Sequence, residues 1–596
     1  MNILQHFSFK LYTQVSYFPA EFILSLLPYY KFFLILYFLV GMHIVLDTPG
    51  GVGLYYSYNV IAWLITSILI SLGLWQITLN KKVYYSKMLL WLSLGVTCLI
   101  VPVFYQFEFT DHAIPRILAL VGGLLFLFSL YQFKLSKIDA LHLLILILLA
   151  VVIEACFGLV QFFIFEAGDW GGYIVGSSRP HGVFIQPNVM ASFMATGLAI
   201  ALFLSIKSQR LTQSKNTKIL FYLLILSSLF LTSFLLVLLQ SRTGFVAALA
   251  VLLLISPYLY QKNKKKLLIN LVTIALAIVS ATISLENSST PVRGQQVYEN
   301  VGARDAIFIV SADMIKEKLL IGYGYGGFER SFIDHFNEYA LENPEIGNII
   351  ANLSHPHNEV LFWVVEGGII ALVAFVLFII GYIYTWAKIP LTTGLVVLAL
   401  ILPLLLHSQL EFPFYSSVSH WLVFLVMLWL VDRFALADDE SHQNISIEKT
   451  FLLRFLALLI PAIFIPFLLT TLHTAHIIVE HEKNPTSIDA KKNLKNIINP
   501  MAWQSRLDAI VYEHILIDGL KESDGNKLKS YLYWALQRIK HKPREGLYIN
   551  CLLVIKALGQ HEAYQLLLEE AKRTYPERIN WGSSIIKANE PDMSDK

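Results

Sequence analysis

Three arginines lie in or beside short polar segments between long apolar runs, where a cation needs a partner. They are Arg179, Arg242 and Arg304. The guanidinium group is a planar fork of donors that matches phosphate oxygens and stays charged when it is partly buried. A lone arginine at this depth is explained as well by snorkelling to lipid headgroups, and we interpret Arg116 in that way. Two arginines in turns, followed by a third at the start of a helical pattern, favour a shared phosphate-bearing ligand.

A pair of histidines lies where the longest polar loop meets the next apolar run. Pro356 holds the chain extended between His355 and His357, and Asn358 is a suitable N-cap for the helix that follows. A helix N-terminus attracts anions through its free N–H groups. Its positive dipole end also lowers the pKa of a nearby histidine, which keeps the ring neutral and able to accept a proton. The alternative is a capping sequence with interfacial histidines and no catalytic role.

Further ionisable side chains lie at the ends of apolar runs or inside them. His407 and Glu411 end one run, and Glu411 either orients a histidine, binds a sugar hydroxyl or is a solvated loop carboxylate. Glu154 and Glu366 fall inside runs, where an acid is costly unless it is paired. Both are functional candidates, although close helix packing explains Glu366 equally well. Histidine, aspartate and glutamate show no metal-site spacing, so we expect neither a metal nor a cofactor.

A glycine-rich stretch follows the segment that Arg304 opens. Gly322, Gly324 and Gly327 satisfy the spacing of a dinucleotide-binding loop. They follow a helical pattern rather than a strand, and we therefore reject that interpretation. A tight backbone turn close to a ligand or to another helix explains the glycines better.

The composition requires much of the surface to face lipid. Of 596 residues, 56% are hydrophobic and 15% are charged, with a mean hydropathy of +0.60, whereas soluble domains have about 25% charged residues. A net charge of +3 does not indicate nucleic acid as a partner, and three scattered cysteines form no disulfide framework. Because about 20 apolar residues span the hydrocarbon core, we predict an all-α polytopic membrane protein with about 13 transmembrane helices. The predicted spans are centred near residues 38, 68, 96, 123, 153, 198, 229, 251, 275, 373, 398, 426 and 462.

Lysine and arginine are concentrated in alternate loops, and this bias sets the orientation. The cation-rich loops, predicted to be cytoplasmic like the N-terminus, lie near residues 81–87, 134–137, 207–218, 262–266, 388 and 433–449. The loops without lysine or arginine lie near residues 48–58, 107–113 and 408–419. The long polar loop and the C-terminal tail are then periplasmic, and the first apolar run is a retained anchor rather than a cleaved signal peptide.

The predicted organisation has four parts. Residues 1–284 contain the first nine spans and a first periplasmic substrate loop at 167–188, and residues 285–357 form a long periplasmic loop with the catalytic motif. Residues 358–474 contain the remaining spans, and residues 475–596 form a helical periplasmic tail. One segment of the tail looks like a tetratricopeptide unit. A helical cap on the membrane domain and a partner-binding role explain the tail about equally well.

Together these residues suit the displacement of a lipid diphosphate from the anomeric carbon of a sugar. Arginines would stabilise the charge that develops on the leaving group, which is usually the largest catalytic contribution. A neutral histidine would take the proton of the attacking hydroxyl. Such a reaction requires no nucleotide and no metal.

The order of the motifs resembles the bacterial O-antigen ligase superfamily from about residue 150 onward. Within it, residues 179–188 look like the region that marks protein O-oligosaccharyltransferases, and the extramembrane tail is similar to theirs. The motifs in chain order are Arg179-Pro180-His181-Gly182, Pro187-Asn188, Ser241-Arg242, Arg304 with Gly322-Tyr323-Gly324, and His355-Pro356-His357-Asn358.

The resemblance implies a GT-C-like ligase architecture in the bacterial inner membrane, with the active site facing the periplasm. It implies en bloc transfer of an oligosaccharide from undecaprenyl diphosphate to a serine or threonine of an exported, pilin-like protein. His357 matches the essential histidine and would be the base, and Arg242 and Arg304 match the arginines that contact the diphosphate. Matching or supporting positions are Arg179, His181, Gln186, Asn188, His355, Asn358, His407 and Glu411. Ile185-Gln186 departs from a glycine-containing stretch in some relatives, which could reflect a narrower acceptor or glycan preference.

Three other functions remain open. Ligation of O-antigen to lipid A core uses the same donor chemistry, and the residues Gln186-Pro187-Asn188 and the tail count against it. A polymerase that joins repeat units is the second alternative. A lipid-glycan flippase or transporter would need ionisable residues along a path at mid-membrane, and Glu154 and Glu366 are few for such a path.

Overall fold

Long apolar helices dominate the computed structural model, which describes residues 25–105, 107–166, 168–169, 179–211, 214–288, 304–343, 352–435, 441–485, 492–576 and 581. Within these ranges, 12 helices are long and apolar enough to cross a membrane, and a shorter apolar segment, Leu27–His43, precedes them. Each of the predicted spans therefore corresponds to a helix. The all-α polytopic membrane fold is confirmed.

The spanning helices are numbered in chain order with the shorter ones between them. The N-terminal set is α1 (Leu27–Leu39), α2 (Ser57–Asn80), α3 (Lys87–Ile100), α4 (Ile114–Tyr131), α5 (Lys137–Phe163), α6 (Pro187–Leu211), α7 (Lys215–Leu239), α8 (Arg242–Lys262) and α9 (Lys264–Glu286). The loop helices α10 (Arg304–Glu317) and α11 (Phe328–Glu342) follow. The second set is α12 (Glu359–Trp386), α13 (Leu391–Ser408), the short α14 (Pro413–Ser416), α15 (Val418–Ala435) and α16 (Ile447–Lys483). The C-terminal helices are α17 (Gln504–Glu522), α18 (Gly525–His541), α19 (Glu545–Ala557) and α20 (His561–Thr574).

Burial distinguishes the centre of the bundle from its lipid-facing rim. In the apolar window of α6, 94% of the residues are buried, whereas the figure for α16 is 11%. Helix α6 packs against α5, α7, α8 and α13, so it forms the central column. Gln186 and Asn188 lie at its N-terminal end, and these side chains are therefore attached to the most buried of the spanning helices.

Polar side chains define where several helices begin. The Ser136 hydroxyl accepts the N–H of Asp139, and the Asp139 carboxylate accepts the N–H of Ser136, a capping box that starts α5. The Ser241 hydroxyl caps α8 by accepting the N–H of Gly244. Asn358 caps α12 in the same manner, as its position in the sequence predicts.

A two-stranded antiparallel ribbon joins two loops at one end of the bundle. Strand β1 (Lys82–Tyr85) pairs with β2 (Ser441–Asn444), with Lys82 opposite Asn444 and Tyr85 opposite Ser441. Both strands belong to loops that the charge bias assigns to the same side of the membrane. We call this the ribbon end, and we call the opposite end, which carries residues 179–188, 304–343 and 352–358, the loop end.

The glycine-rich stretch is a turn that packs against the backbone of α12. Helix α12 is interrupted at Gly368, where φ is 64° and ψ is −150°, so carbonyls just before the break have no helical donor. The N–H of Tyr323 donates to the carbonyl of Val365, and the N–H of Gly324 donates to that of Glu366, each at 2.9 Å. Gly322 has φ +70°, and a Cβ there would collide with the carbonyl of Glu366. Of the two predicted explanations for these glycines, closeness to another helix is therefore the one found.

Arg116 does not snorkel to lipid headgroups, contrary to the sequence interpretation. Its guanidinium lies 2.5 Å from the carboxylate of Glu366, and the two side chains are only 10% and 1% exposed. The guanidinium also lies over the rings of Phe362 and Trp363, 4.3 and 4.1 Å from their centroids. The N–H groups of Gly326 and Phe328 donate to the other oxygen of Glu366. Glu366 therefore has an architectural role, because it joins α4, α12 and the glycine turn.

Removal of Arg116 should destabilise the protein strongly. We expect Arg116→Met to lower the free energy of unfolding by about 3 to 5 kcal/mol, since it leaves a buried carboxylate without its cation. Arg506→Met is the matched control because it breaks the Arg506–Glu482 pair, whose side chains are 25% and 32% exposed, and it should cost no more than about 1 kcal/mol. Unfolding of the purified variants in mixed micelles, followed by circular dichroism, measures both. Equal losses would contradict the role given to the buried pair.

The C-terminal helices have an apolar core of their own and pack on α11. Consecutive helices from α17 to α20 contact each other, and Tyr531, Ala535, Cys551 and Leu567 lie in their shared core. Ile333 of α11 belongs to the same core. The tail is helical as predicted, and its place against α11 joins it to the loop end.

Candidate functional site

Glu411 is the centre of a polar cluster at the loop end. Its carboxylate accepts hydrogen bonds from the side-chain amides of Gln186 at 3.0 Å and Asn188 at 2.6 Å. The guanidinium of Arg304 donates to it at 3.2 Å, and Nε2 of His407 lies 3.2 Å from it. The cluster therefore joins the start of α6, the start of α10 and the end of α13. Four predicted site residues therefore contact a fifth, Glu411.

The Glu411 carboxylate is buried and ionised, not a solvated loop acid. Only 5% of the residue is exposed. Burial alone would raise the pKa of Glu411, but the hydrogen bond with His407, the amide of Gln186 and the positive charge of Arg304 outweigh it and lower the pKa to about 2. A fixed negative charge in this position holds the Arg304 side chain in one orientation, because each bond to the carboxylate restricts its rotamers.

His357 adopts a backbone conformation that residues other than glycine rarely take. Its φ is 54°, and its backbone N–H donates to Nδ1 of His355 at 2.9 Å. Nδ1 of His355 is thus an acceptor, which leaves the proton on Nε2, 3.5 Å from the carboxylate of Glu359. Glu359 is held in turn by the indole N–H of Trp363 at 2.7 Å and the hydroxyl of Tyr415 at 2.9 Å. Strain of this kind persists only where the surroundings fix the chain.

The ring of His357 is neutral over the physiological pH range. Burial, the neighbouring His355 and the positive charge of Arg304 lower the pKa of His357 to about 4, and the negative charge of Glu411 opposes them. The Nδ1 atom is buried and has no hydrogen-bond partner among the described residues. A neutral imidazole with an unoccupied ring nitrogen can accept a proton.

The other two predicted arginines lie at the turn between α7 and α8, Arg242 as part of it and Arg179 in contact with it from the 179–188 segment. The Arg179 guanidinium donates to the carbonyl of Leu239 at 2.8 Å and lies 3.5 Å from that of Gln240, so it caps the C-terminal end of α7. Arg242 is the first residue of α8. Gly244 brings that helix against Ala191 of α6, since a Cβ on the glycine would lie 2.7 Å from the Ala191 methyl group. Both arginines therefore lie at the end of the bundle where α6 begins.

His181 and Glu154 belong to a structural contact beneath this turn and not to the Glu411 cluster. Gln161 accepts the backbone N–H groups of His181 and Gly182 at 2.9 and 2.8 Å. Burial lowers the pKa of His181. Glu154 accepts the N–H of Val183 at 3.1 Å and lies 2.5 Å from Nδ1 of His43. These contacts hold the 181–184 segment in place. The other predicted part of this substrate loop, residues 170–178, lies outside the described residues.

Several side chains that complete the site were not predicted from the sequence. Ser192 lies 2.7 Å from Nδ1 of His407, but a serine inside an apolar span is too common to single out. The Glu359 carboxylate lies 3.5 Å from Nε2 of His355, yet an acid in the first turn of a helix is ordinary. Tyr415 contacts Glu359 across 56 residues, and no local pattern indicates such a pair. Among the described residues, no group of three or more His, Cys, Asp and Glu is arranged to hold a metal ion.

A cavity of about 3330 Å³ reaches His355, but His357, Arg304 and Glu411 are not among the residues that line it. His355, Glu359 and Tyr415 line it at the loop end, apolar side chains of α4, α12, α15 and α16 line it within the bundle, and α17 and α18 cover it. Its polar end and its apolar walls match a ligand with a polar head and a lipid tail.

Comparison with known families gives three matches, and together they include most of the site. A model of the O-antigen ligase family matches residues 227–376, and a model of protein glycosylation ligases matches residues 180–204. A model of the C-terminal region of virulence factor membrane-bound polymerases matches residues 395–581. No curated protein matches the chain.

Each match covers less than a third of the chain, and together they make the matched segments similar to the O-antigen ligase superfamily. They do not single out the protein glycosylation ligases within it. The ligase-family segments indicate a glycosyl-transferring enzyme in general.

Proposed function

We propose that this chain transfers an oligosaccharide en bloc from undecaprenyl diphosphate to a serine or threonine hydroxyl of an exported, pilin-like protein at the periplasmic face of the bacterial inner membrane. The observation that carries the proposal is the convergence of Arg304 and His357 beside Glu411. The Arg304 guanidinium donates to Glu411 at 3.2 Å, and the ring centroid of His357 lies 5.6 Å from that of Phe412, the next residue in the chain after Glu411. Arg304 and His357 are the two groups that departure of a diphosphate and deprotonation of a hydroxyl require.

The reaction follows from these two groups. His357 accepts the proton of the acceptor hydroxyl as its oxygen attacks the anomeric carbon. The bond between that carbon and the diphosphate oxygen breaks, and the electron pair stays on the diphosphate. Arg304 stabilises the charge that develops on this leaving group, and we assign Arg242 and Arg179, at the turn between α7 and α8, a supporting part in binding the diphosphate. Gln186, Asn188, His407 and Glu411 hold Arg304 in place before the donor arrives, and His355 and Asn358 fix the His357 loop.

Binding of the diphosphate should also raise the pKa of His357, the proposed base. A pKa of about 4 makes the free His357 ring a weak proton acceptor. A negative diphosphate bound at Arg304 favours the protonated ring and raises that pKa. The donor therefore makes the histidine more basic when an acceptor is ready to react.

The single experiment that tests the function offers both acceptor classes to the purified protein. With a lipid-diphosphate oligosaccharide as donor, and without nucleotide or added metal, we expect glycan on a pilin-like protein, detected by intact mass spectrometry. Lipid A core in a parallel reaction is the matched alternative acceptor. Glycan on the lipid alone would overturn the proposed acceptor and retain the donor chemistry.

A second candidate function is favoured by the family matches. The O-antigen ligase and membrane-bound polymerase models together cover more of the chain than the protein glycosylation ligase model does. Ligation to lipid A core, or joining of repeat units, uses the same leaving group and the same base. A transporter is disfavoured, because Glu154 and Glu366 are fully engaged in contacts that hold loops in place.

A further inference from the structure

The C-terminal helices contact the segment that carries the histidines through one asparagine. The hydroxyl of Tyr575 lies 2.8 Å from Oδ1 of Asn352, and the guanidinium of Arg544 donates to the same oxygen at 3.2 Å. Asn352 precedes His355 by three residues and has φ 75°, a left-handed conformation that asparagine tolerates better than most residues. Two tail side chains therefore fix one carbonyl oxygen next to the histidine pair.

The two tail residues are themselves fixed. Arg544 also pairs with Glu329 of α11, which is 5% exposed, and the Tyr575 hydroxyl lies 2.9 Å from the carbonyl of Pro543. Burial of the Glu329 carboxylate makes this pair sensitive to the loss of its cation. The contact to Asn352 is thus part of a partly buried, hydrogen-bonded interface between the tail and the loop end.

The segment between Asn352 and Asn358 has to be held at both ends. At its far end Asn358 caps α12 and also donates from its amide to the carbonyl of Gln409 at 3.2 Å. Between the two asparagines lies the strained backbone of His357. A left-handed non-glycine residue is strained and persists only where its surroundings determine the chain. The Asn352 contact supplies the near end of that restraint.

We propose that Arg544 and Tyr575 of the C-terminal tail are positioning residues that hold the His355–His357 segment through Asn352. The catalytic meaning of this restraint rests on the proposed function; the restraint itself does not. The tail then has a role within the active site in addition to covering the cavity. Neither residue touches the proposed reacting groups, and both act through the backbone of the loop.

Loss of the restraint should be visible as a change in the titration of His357. Three groups influence the pKa of that ring: His355 on the same segment, with ring centroids 6.4 Å apart, Arg304 on α10 and Glu411 after α13. Burial is the main cause of its low pKa. A loop released from Asn352 admits water to the ring, and the pKa then rises from about 4 toward the ordinary value of 6.5.

The experiment measures how the reactivity of His357 with diethyl pyrocarbonate depends on pH, by peptide mass spectrometry on the full-length protein in micelles. We expect the midpoint of the native protein near 4 and that of the Tyr575→Phe/Arg544→Gln variant well above it. Asn352→Asp keeps the acceptor oxygen and should retain the native midpoint. Arg330→Gln is the matched control. It breaks the contacts of Arg330 with Glu570 and Tyr548 in the same interface, at 3.2 and 3.3 Å, and leaves Asn352 in place.

Two results would overturn the proposal: an unchanged midpoint in the double variant, or an equal shift in Arg330→Gln, which would mean a general loosening of the tail. Transfer assays on the same samples separate the two proposals. A positioning role predicts a lower kcat with little change in KM for the lipid donor. If the native protein transfers no glycan to any acceptor, the proposed function fails, and the modification experiment still decides the restraint.

Discussion

A His357→Ala variant should insert and fold normally but transfer glycan about 10²- to 10⁴-fold more slowly than the native protein, the range expected for loss of a general base. The substitution removes the only proposed proton acceptor and leaves the Arg304–Glu411 cluster in place. Initial rates with a lipid-diphosphate donor and a protein acceptor measure the loss. His335→Ala is the matched control, because that histidine pairs with Glu317 on the outer surface of the loop. A His357→Ala rate equal to the native rate would remove histidine from the mechanism.

The pH dependence of the native protein gives a second view of the same residue. Because the pKa of His357 is lowered to about 4, the ring stays neutral as the pH falls to that value, and kcat/KM should be lost only below it. The kcat profile reports the enzyme with donor bound, and the bound diphosphate raises the pKa. The acid limb of kcat should therefore lie at higher pH than that of kcat/KM. Coincident limbs would mean that the diphosphate does not lie near His357.

Replacement of Arg304 should have the next largest effect. Arg304→Ala is expected to lower kcat by about 10²- to 10³-fold, the loss typical of one group that stabilises developing charge. Arg304→Lys should recover part of the rate, since it restores the charge without the planar fork that binds two oxygens. Steady-state kinetics over a range of donor concentrations measures kcat and KM separately.

The control for Arg304 is an arginine at the opposite end of the molecule. Arg454 contacts Thr78 near the ribbon end, and Arg454→Ala should leave kcat within about twofold of the native value. An Arg304→Ala variant that changed KM for the donor and not kcat would assign Arg304 to ground-state binding. The proposed contribution to leaving-group departure would then be wrong.

The spans and several helix starts could be predicted from the sequence because they depend on local information. Hydrophobic length alone predicts α2 or α13, and one asparagine before an apolar run predicts the start of α12. The pairing of β1 with β2 connects two loops that the charge bias had already assigned to one side. The spans and helix starts each depend on a short stretch of chain, whereas the pairing of β1 with β2 joins two distant segments and was not predicted.

The contacts within the candidate site were beyond such reasoning. Glu411 meets Gln186 across 225 positions and Arg304 across 107, and the sequence indicated only that all three lie at the same end of the spans. Arg116 is the clearest error. Its partner Glu366 lies 250 residues away in sequence. The arginine predicted to reach lipid headgroups is instead a buried structural cation. Local patterns do not show which distant residue neutralises a charge.

The interruption of α12 at Gly368 has a consequence for the lipid environment of the enzyme. A continuous helix would transmit any change of tilt from the ribbon end to Asn358 at its N-terminus. Here the carbonyls before the break are bonded to the turn at 322–324, and we therefore expect the part of α12 after Gly368 to change its inclination with bilayer thickness while those bonds persist. The position of the histidine segment, residues 352–358, should then not depend on hydrophobic mismatch between the spanning helices and the bilayer.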